Sequence, residues 1–466
     1  MKLKMNVLRM LALAFLGVCA QADEAEKPNI IILLGDDIGY EAFGCTGNAF
    51  AQTPNMDQLA KEGLVFDRLY TTVATCRPSR TELYTGLFPL STGVVANTVR
   101  TKKPGVKSMV EFLEPLGYRV GLTGKIHFNQ GKKFTKIPGF PVGANDDIAE
   151  YDLSGVKSFI EKAQENNQPF CTVVASVHAH HPWTVGTPQK DGVERVPVPE
   201  DYVDTPATRE ALVRHAAEVT AFDQQLADIR LMMDEMNLTE NTILICLSEQ
   251  GMAMPRGKWS IYEKGNRSLG IFVWPGTIQP GRTQVLSKYA DILPTLIDYA
   301  GGPDPKLDGF SLRPVLEGKS QHHRDVVHVL SVNPTRRCAL IEDDWKLVWS
   351  PERNASQLYK GFDEKKPENG EYTKKFAEVW TEWNIAAQVD PSAAQKVKHV
   401  LHPDEFEIYR IDRDYDEWNN LAQNPEIRAR IRTMHERLNG IVGDAMNMAD
   451  SDINQKNSAK KKTKKK

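Results

Sequence analysis

The stretch Thr75-Cys76-Arg77-Pro78-Ser79-Arg80-Thr81 gathers residue types that could attack an ester. Pro78 suits the first turn of a helix, where a missing N–H costs nothing. Cys76 then stands at a helix N-terminus, where backbone N–H groups and the dipole favour an anion. Arg80 lies about one turn on and can point back at it. A nucleophile beside an anion cradle is what a sulfate or phosphate ester requires. The plain alternative is a buried helical cysteine next to a surface arginine.

Four other stretches hold groups that such chemistry uses. Gly35-Asp36-Asp37 sets two carboxylates side by side, which repel each other unless a cation holds them. In Gly124-Lys125-Ile126-His127, Lys125 and His127 stand two apart on an extended segment and point the same way. Two cations aimed at one spot need an anion between them. His178-Ala179-His180-His181-Pro182-Trp183 places three histidines in four residues, which also resembles a transition-metal site. Ser248-Glu249-Gln250-Gly251 offers a carboxylate and a neutral amide oxygen, and Lys258 follows nearby. Taken singly, each has a bland reading as a solvated turn, a surface lysine or a satisfied core histidine.

Elements must bring these groups together. Pro28 to Leu34 is a continuous apolar run, as a buried parallel strand should be, and it ends at Asp36-Asp37. Leu64 to Tyr70 alternates like a strand and precedes the Cys76 helix. Tyr118 to Leu122, Phe170 to Val177 and Thr242 to Leu247 are strands running into Lys125, the histidines and Glu249; Ser268 to Trp274 adds another. Helices are expected from Thr53-Pro54 to Gly63, over Val106 to Gly117, from Thr205-Pro206 through Met233, and over Tyr289 to Tyr299. The apolar face of the long one, from Leu212 to Met233, is read as core packing alone. This rhythm predicts an α/β fold, a large mostly parallel sheet with helices on both faces. In such sheets the functional crevice lies off the carboxyl ends of the strands.

After about residue 320 the character changes. Val326 to Val332 and Cys338 to Trp349 read as antiparallel strands, turning at Asp343-Asp344. Residues 351–405 read as a polar, loop-rich insertion near the substrate. Phe406 to Asp412 closes a smaller C-terminal antiparallel sheet, packed by a helix from about Glu426 to Ala445. The expected division is a signal peptide at 1–22, a catalytic domain at 23–322, a C-terminal α+β subdomain at 323–450 and a lysine-rich, disordered tail at 451–466.

Composition sets the outer bounds. With 41% hydrophobic and 26% charged residues, the 466-residue chain can bury a sizeable core. Three cations in the leader and seven lysines in the tail leave residues 23–455 at a formal charge of −13, against −3 overall. An acidic body argues against nucleic acid as a partner, so an anionic substrate has to be caught by a local cationic pocket. Residues 1–22 carry Lys2, Lys4 and Arg9, an apolar core and Ala20-Gln21-Ala22, which predicts export with no transmembrane anchor. Cys19 would leave with the leader. Cys171 and Cys246 sit in apolar runs and read as buried thiols, and no zinc spacing appears.

Cys76-Arg77-Pro78-Ser79-Arg80 followed by Thr85-Gly86 resembles the signature of the sulfatase family, within the alkaline-phosphatase-like superfamily. Asp36-Asp37, Gly124-Lys125-Ile126-His127, the segment before Pro182-Trp183 and Glu249-Gln250 resemble that family's other motifs, in order, from Pro28 to about Ala422. The resemblance implies that Cys76 is oxidised to formylglycine (3-oxoalanine) by a formylglycine-generating enzyme, and that its hydrate is the nucleophile. It implies a metal held by Asp36, Asp37, Cys76, Glu249 and Gln250. Ca²⁺ is expected from the oxygen ligands, with Mg²⁺ or Mn²⁺ as alternatives. Lys125 and Lys258 would bind the sulfate group and Arg80 would neutralise charge. His180 would protonate the leaving group, and His127 would take the proton that lets sulfate depart.

The chain departs from the family pattern at two places. Ala179 replaces a proline, which leaves His178 and His181 as rivals to His180. The metal pair is Glu249-Gln250 where Asp followed by Asn, His or Gln is usual. The implied substrate is a sulfated carbohydrate, as a sulfate ester or a sulfamate; some relatives with this pair are heparan N-sulfatase-like. Two rivals remain, a phosphodiesterase or phosphonate monoester hydrolase of the same superfamily, and a non-catalytic binder of sulfated glycans.

Overall fold

A computed structural model describes residues 27–99, 103–140, 151–332, 334–358 and 371–446. The expected signal peptide and lysine tail lie outside them. Strand β1 (Asn29–Leu34) shows why the molecule is layered. Its side chains alternate, Ile31 and Leu33 entering one core and Ile30, Ile32 and Leu34 another. A strand apolar on both faces needs cover on both.

The other strands of its sheet are β2 (Leu64–Tyr70), β3 (Arg119–Gly124), β4 (Thr135–Lys136), β5 (Phe170–Ala175), β6 (Thr242–Leu247), β7 (Arg267–Val273), β8 (Gly281–Thr283) and β9 (Ser287–Lys288). Their order is β4-β3-β5-β1-β6-β7-β2-β8, with β9 paired to β2. All pairings are parallel except those of β7 with β6 and with β2. Two reversals restore direction, so β2 runs the same way as β3, β5, β1 and β6. All five carboxyl ends therefore meet along one edge.

The helices of eight or more residues are α1 (Pro54–Glu62), α2 (Cys76–Thr85), α3 (Ser154–Glu165), α4 (Pro206–Glu235), α5 (Ile292–Tyr299), α6 (Glu371–Ala386), α7 (Pro391–Leu401) and α8 (Arg428–Met446). Helices α1, α3, α4, α6 and α7 cover one face of the sheet, and α2 and α5 the other. The helix expected over Val106 to Gly117 is shorter, Met109–Leu113 with a 3₁₀ turn after it.

Strand β2 falls on the expected residues, and although its side chains alternate the whole strand is buried. Its polar Asp67 accepts hydrogen bonds from Tyr40, Arg282 and Gln284, so polar side chains cover the face that carries it. Among the described residues of 351–405, most are helical where a loop-rich stretch is expected. Helices α6 and α7 bury Trp380, Trp383, Val397 and Val400, and Trp383 donates from Nε1 to Thr208 Oγ1 at 2.8 Å. A few apolar residues at helical spacing suffice there, and the polar outer faces hide them.

The second sheet is antiparallel, in the order β10 (Val326–Ser331), β11 (Arg337–Glu342), β12 (Trp345–Trp349) and β13 (Phe406–Arg410). Asp343, at φ +50°, turns the chain between β11 and β12. One face packs under Met434, Leu438 and Val442 of α8, and the other against Tyr70, Ile261, Tyr262 and Leu286. Among the described residues all cysteines are free thiols.

Candidate active site

Helix α2 begins at Cys76, with extended Thr75 as its N-cap. Gly86 ends it at φ +64°, where an added Cβ would lie 2.6 Å from Leu307 Cδ1. The helix is buried along almost its whole length, so its N-terminal dipole acts in a dry environment. Cys76 Sγ lies 3.2 Å from Asp36 Oδ1, 3.7 Å from Asp37 Oδ1 and 4.0 Å from Lys125 Nζ.

Each strand end contributes in turn. After β1, Asp36 and Asp37 are both fully buried. After β3, Gly124 takes φ +81°, and a Cβ there would meet Ala175 O at 2.0 Å, so only glycine lets the chain turn Lys125 inward. Lys125 Nζ then sits 2.5 Å from Asp36 Oδ2. This corrects the extended geometry expected for Lys125 and His127, since His127 itself has φ +40°. After β6 come Glu249 and Gln250, both fully buried, and Lys258 Nζ reaches Asp37 Oδ2 at 2.6 Å.

Arg80 reaches past Cys76 to the acids at the strand ends. Its Nε pairs with Glu249 Oε1 at 2.8 Å and its Nη2 lies 3.7 Å from Asp36 Oδ2. It also donates to the carbonyls of Lys125 and Gly35 at 2.6 and 3.2 Å. It is fully buried and ties the ends of β1, β3 and β6 together.

Gln250 also departs from expectation. Its nitrogen, not its oxygen, faces the cluster, with Nε2 at 2.7 Å from Asp37 Oδ1, 2.9 Å from Glu249 Oε2 and 3.1 Å from Cys76 Sγ. The surrounding acceptors favour that orientation. Ser79 Oγ lies 3.0 Å from both Gln250 Oε1 and Glu249 Oε1. A half-turn of the amide would give its oxygen to the cluster and its N–H to Ser79.

Donor atoms of Asp36, Asp37, Cys76 and Glu249 all lie within 4.8 Å of one another. Converging oxygens, with a turnable amide beside them, fit a hard divalent cation. The carboxylates differ in character. Burial pushes Asp36 up, but Lys125, Arg80 and His180 outweigh it and hold the group well below its usual range. Burial and Asp36 push Glu249 up to about 8 despite Arg80. Burial and Asp36 also drive the Cys76 thiol well above its ordinary value, so it is a poor thiolate.

Of the three histidines, His180 faces the cluster. Its Nδ1 lies 2.7 Å from His181 O and so carries a proton, while Nε2, the nitrogen that a second proton would occupy, stands 3.8 Å from Asp37 Oδ2. Asp36, Cys76 and His180 also have ligand atoms within 4.8 Å of one another. His178 turns away to Glu218 at 2.7 Å, and His181 packs edge-on against Trp183. His127 stands further out, with Nδ1 buried and unbonded. Burial, then Lys125, Arg77 and Arg80, hold it down to about 3, so it is a neutral imidazole at working pH.

The sequence reading missed two residues of α4, His215 and Glu218. His215 Nε2 lies 2.9 Å from Asp37 O, and Glu218 holds the histidine loop. Polar residues three apart, at positions that fall among the apolar ones of the buried face, were the available signal.

Comparisons with known proteins follow this geometry. Residues 28–302 match the family model described as Sulfatase. The chain is 28% identical over 419 residues to an ulvan-active sulfatase of Formosa agariphila, covering 87% of this chain and 78% of the relative. It is 25% identical over 495 residues to human N-sulphoglucosamine sulphohydrolase, covering 91% of each. A protein solved in complex with its substrate D-glucosamine-2-N,6-O-disulfate shares the fold, at a TM-score of 0.67 and 19% identity, over 91% of this chain and 99% of that one. A family match of that length, covering every strand end described above, settles the question of kinship: this chain belongs to the sulfatases and is a sulfuric ester hydrolase.

Proposed function

We propose that the protein removes sulfate from a carbohydrate, as an ester or a sulfamate, using Cys76 converted to formylglycine. The observation that carries this is the convergence of Asp36, Asp37, Cys76 and Glu249 within 4.8 Å at a helix N-terminus, ringed by Lys125, Lys258 and Arg80. Burial and Asp36 disfavour a thiolate there, whereas an aldehyde hydrate offers an oxygen at the same position. Its conversion needs a formylglycine-generating partner.

Charge balance supports the reading. Asp36, Asp37 and Glu249 are already matched by Lys125, Lys258 and Arg80. A divalent cation adds two positive charges, which a sulfate ester monoanion and one ionised nucleophile oxygen would balance. Ca²⁺, held by Asp36, Asp37, Glu249 and a turned Gln250 beside position 76, would polarise sulfate oxygens when bound. Lys125 and Lys258 hold sulfuryl oxygens and stabilise charge that grows on them. Arg80 fixes the carboxylates in place. His180 Nε2 gives a proton to the departing oxygen, or nitrogen in a sulfamate, and His127 accepts one from the hydroxyl left on residue 76.

The carbohydrate class is drawn from relatives named for ulvan and sulphoglucosamine. Export follows from the leader. We divide the chain into a catalytic unit at 23–322 and a C-terminal subdomain at 323–450, the second sheet falling wholly in the latter. Mass spectrometry of the Cys76 peptide tests the nucleophile, and an unmodified thiol in fully active enzyme would refute it. Turnover of 4-nitrophenyl sulfate is expected to exceed that of 4-nitrophenyl phosphate, and the reverse order would favour the phosphoesterase reading.

A further inference from the structure

Helix α4 buries several polar side chains, and two of them, His215 and Glu218, stand three residues apart and so on one face. Glu218 is 2% exposed. Its Oε2 lies 2.7 Å from His178 Nδ1, and its Oε1 accepts from the N–H groups of Thr184 and Val185, both at 2.8 Å. One carboxylate thus clamps both ends of the segment 178–185. That segment has no regular secondary structure and carries His180 between the clamped ends. Within it, His180 N donates to Val177 O at 2.7 Å and Trp183 Nε1 donates to Ala179 O at 2.9 Å.

The same helix face holds the acidic turn. His215 Nε2 donates to Asp37 O at 2.9 Å, and His178 O accepts from Asp36 N at 2.8 Å. The distance from His180 Nε2 to Asp37 Oδ2, 3.8 Å, is therefore set by two grips one helical turn apart. A buried carboxylate in mid-helix costs desolvation that an apolar side chain would avoid. Its three acceptor contacts all go to the loop that presents one imidazole.

We propose that Glu218 is a positioning residue that aims His180 at the leaving group. This rests on His180 being the proton donor proposed above. A donor displaced by about 1 Å loses on the order of 10²-fold in rate. The loss depends on the leaving group, because 4-nitrophenolate departs without a proton and phenolate benefits from one.

The test compares 4-nitrophenyl sulfate with phenyl sulfate in the full-length, modified enzyme. Glu218→Ala is expected to lower kcat on phenyl sulfate about 10²-fold more than on 4-nitrophenyl sulfate, with KM within about twofold. Glu218→Gln keeps an oxygen for both N–H groups and presents an N–H to His178 Nδ1, which accepts it in the other tautomer, and is expected to restore the wild-type ratio. Where Glu218→Ala does not fold, Glu218→Asp keeps the charge but is one methylene too short, and it is expected to show the same selectivity. Equal losses on both substrates, or none, in Glu218→Ala or Glu218→Asp would overturn the proposal. His180→Ala separates the two claims. If it is selective while the Glu218 variants are not, Glu218 is structural and His180 remains the donor; if it is itself unselective, both claims fall.

Discussion

The molecule buries charge in two places, and they differ instructively. At the strand ends, Asp36, Asp37 and Glu249 face Arg80, Lys125 and Lys258. At the joint between the sheets, Asp201, Glu263, Glu407 and Glu417 meet Arg256, Lys264, Arg337 and Lys346. Both clusters are dry and nearly balanced. At the joint, each carboxylate pairs with a cation on another element, Glu263 and Glu417 sharing Lys346, and tyrosines fill the gaps. Tyr70 donates to Glu263, while Tyr262 and Tyr409 donate to Glu407. At the strand ends the acid oxygens crowd toward one another and toward Cys76 instead. Buried charge alone thus makes a joint, and like-charged donors held close together beside a helix N-terminus make a site.

That contrast can be broken from the site outward. Cys76→Ala is expected to lower kcat/KM on 4-nitrophenyl sulfate by about 10⁵-fold or more in initial-rate assays, because the nucleophile is removed outright. Chelation followed by dialysis is expected to cost about 10³-fold or more in rate, and Ca²⁺ to restore it. The same titration followed by thermal unfolding should stabilise the protein by about 2.7 kcal/mol at a hundred times Kd. Lys346→Met acts at the joint and leaves Glu263 and Glu417 short of their cation. It should cost about 3–5 kcal/mol in denaturant unfolding while the folded fraction keeps kcat within about twofold. A large loss of kcat in the folded fraction would mean that the joint and the site are not separable.

The smallest effect is a pH dependence. Burial pushes Glu407 up, but His399, Arg337 and Arg256 outweigh it and hold the group at about 2. A carboxylate lowered from 4.5 stabilises the fold fully above that value, and loses the contribution as pH falls toward 2. About 3 kcal/mol should disappear across that window. Glu407→Gln should flatten the slope of stability between pH 5 and 3 by roughly that share, as measured by urea unfolding.

Much of this was legible in the linear chain. A run such as Asn29–Leu34 announces a strand covered on both faces, and five such runs imply parallel strands with their carboxyl ends together. Residues at those ends were therefore the right ones to weigh. The helices at 371–401 were not legible, because their buried positions are few and their outer faces polar. His215 and Glu218 escaped notice because periodicity assigns a helix face to the core without saying what polar group the core must hold there.

Residue type and order supplied the chemical groups by themselves: a cysteine at the start of a helix, and acids and cations at strand ends. Backbone periodicity and the chemistry of single side chains are local properties, so the chain states them directly. Tertiary structure alone decided which partner each charge takes. Arg80 braces Glu249 and Asp36 beside Cys76, Gln250 turns its nitrogen inward, and His180 faces the cluster while Glu218 takes His178. Those choices depend on distances of a few ångströms between segments more than a hundred residues apart, and in a dry interior such distances set the energy of every charge.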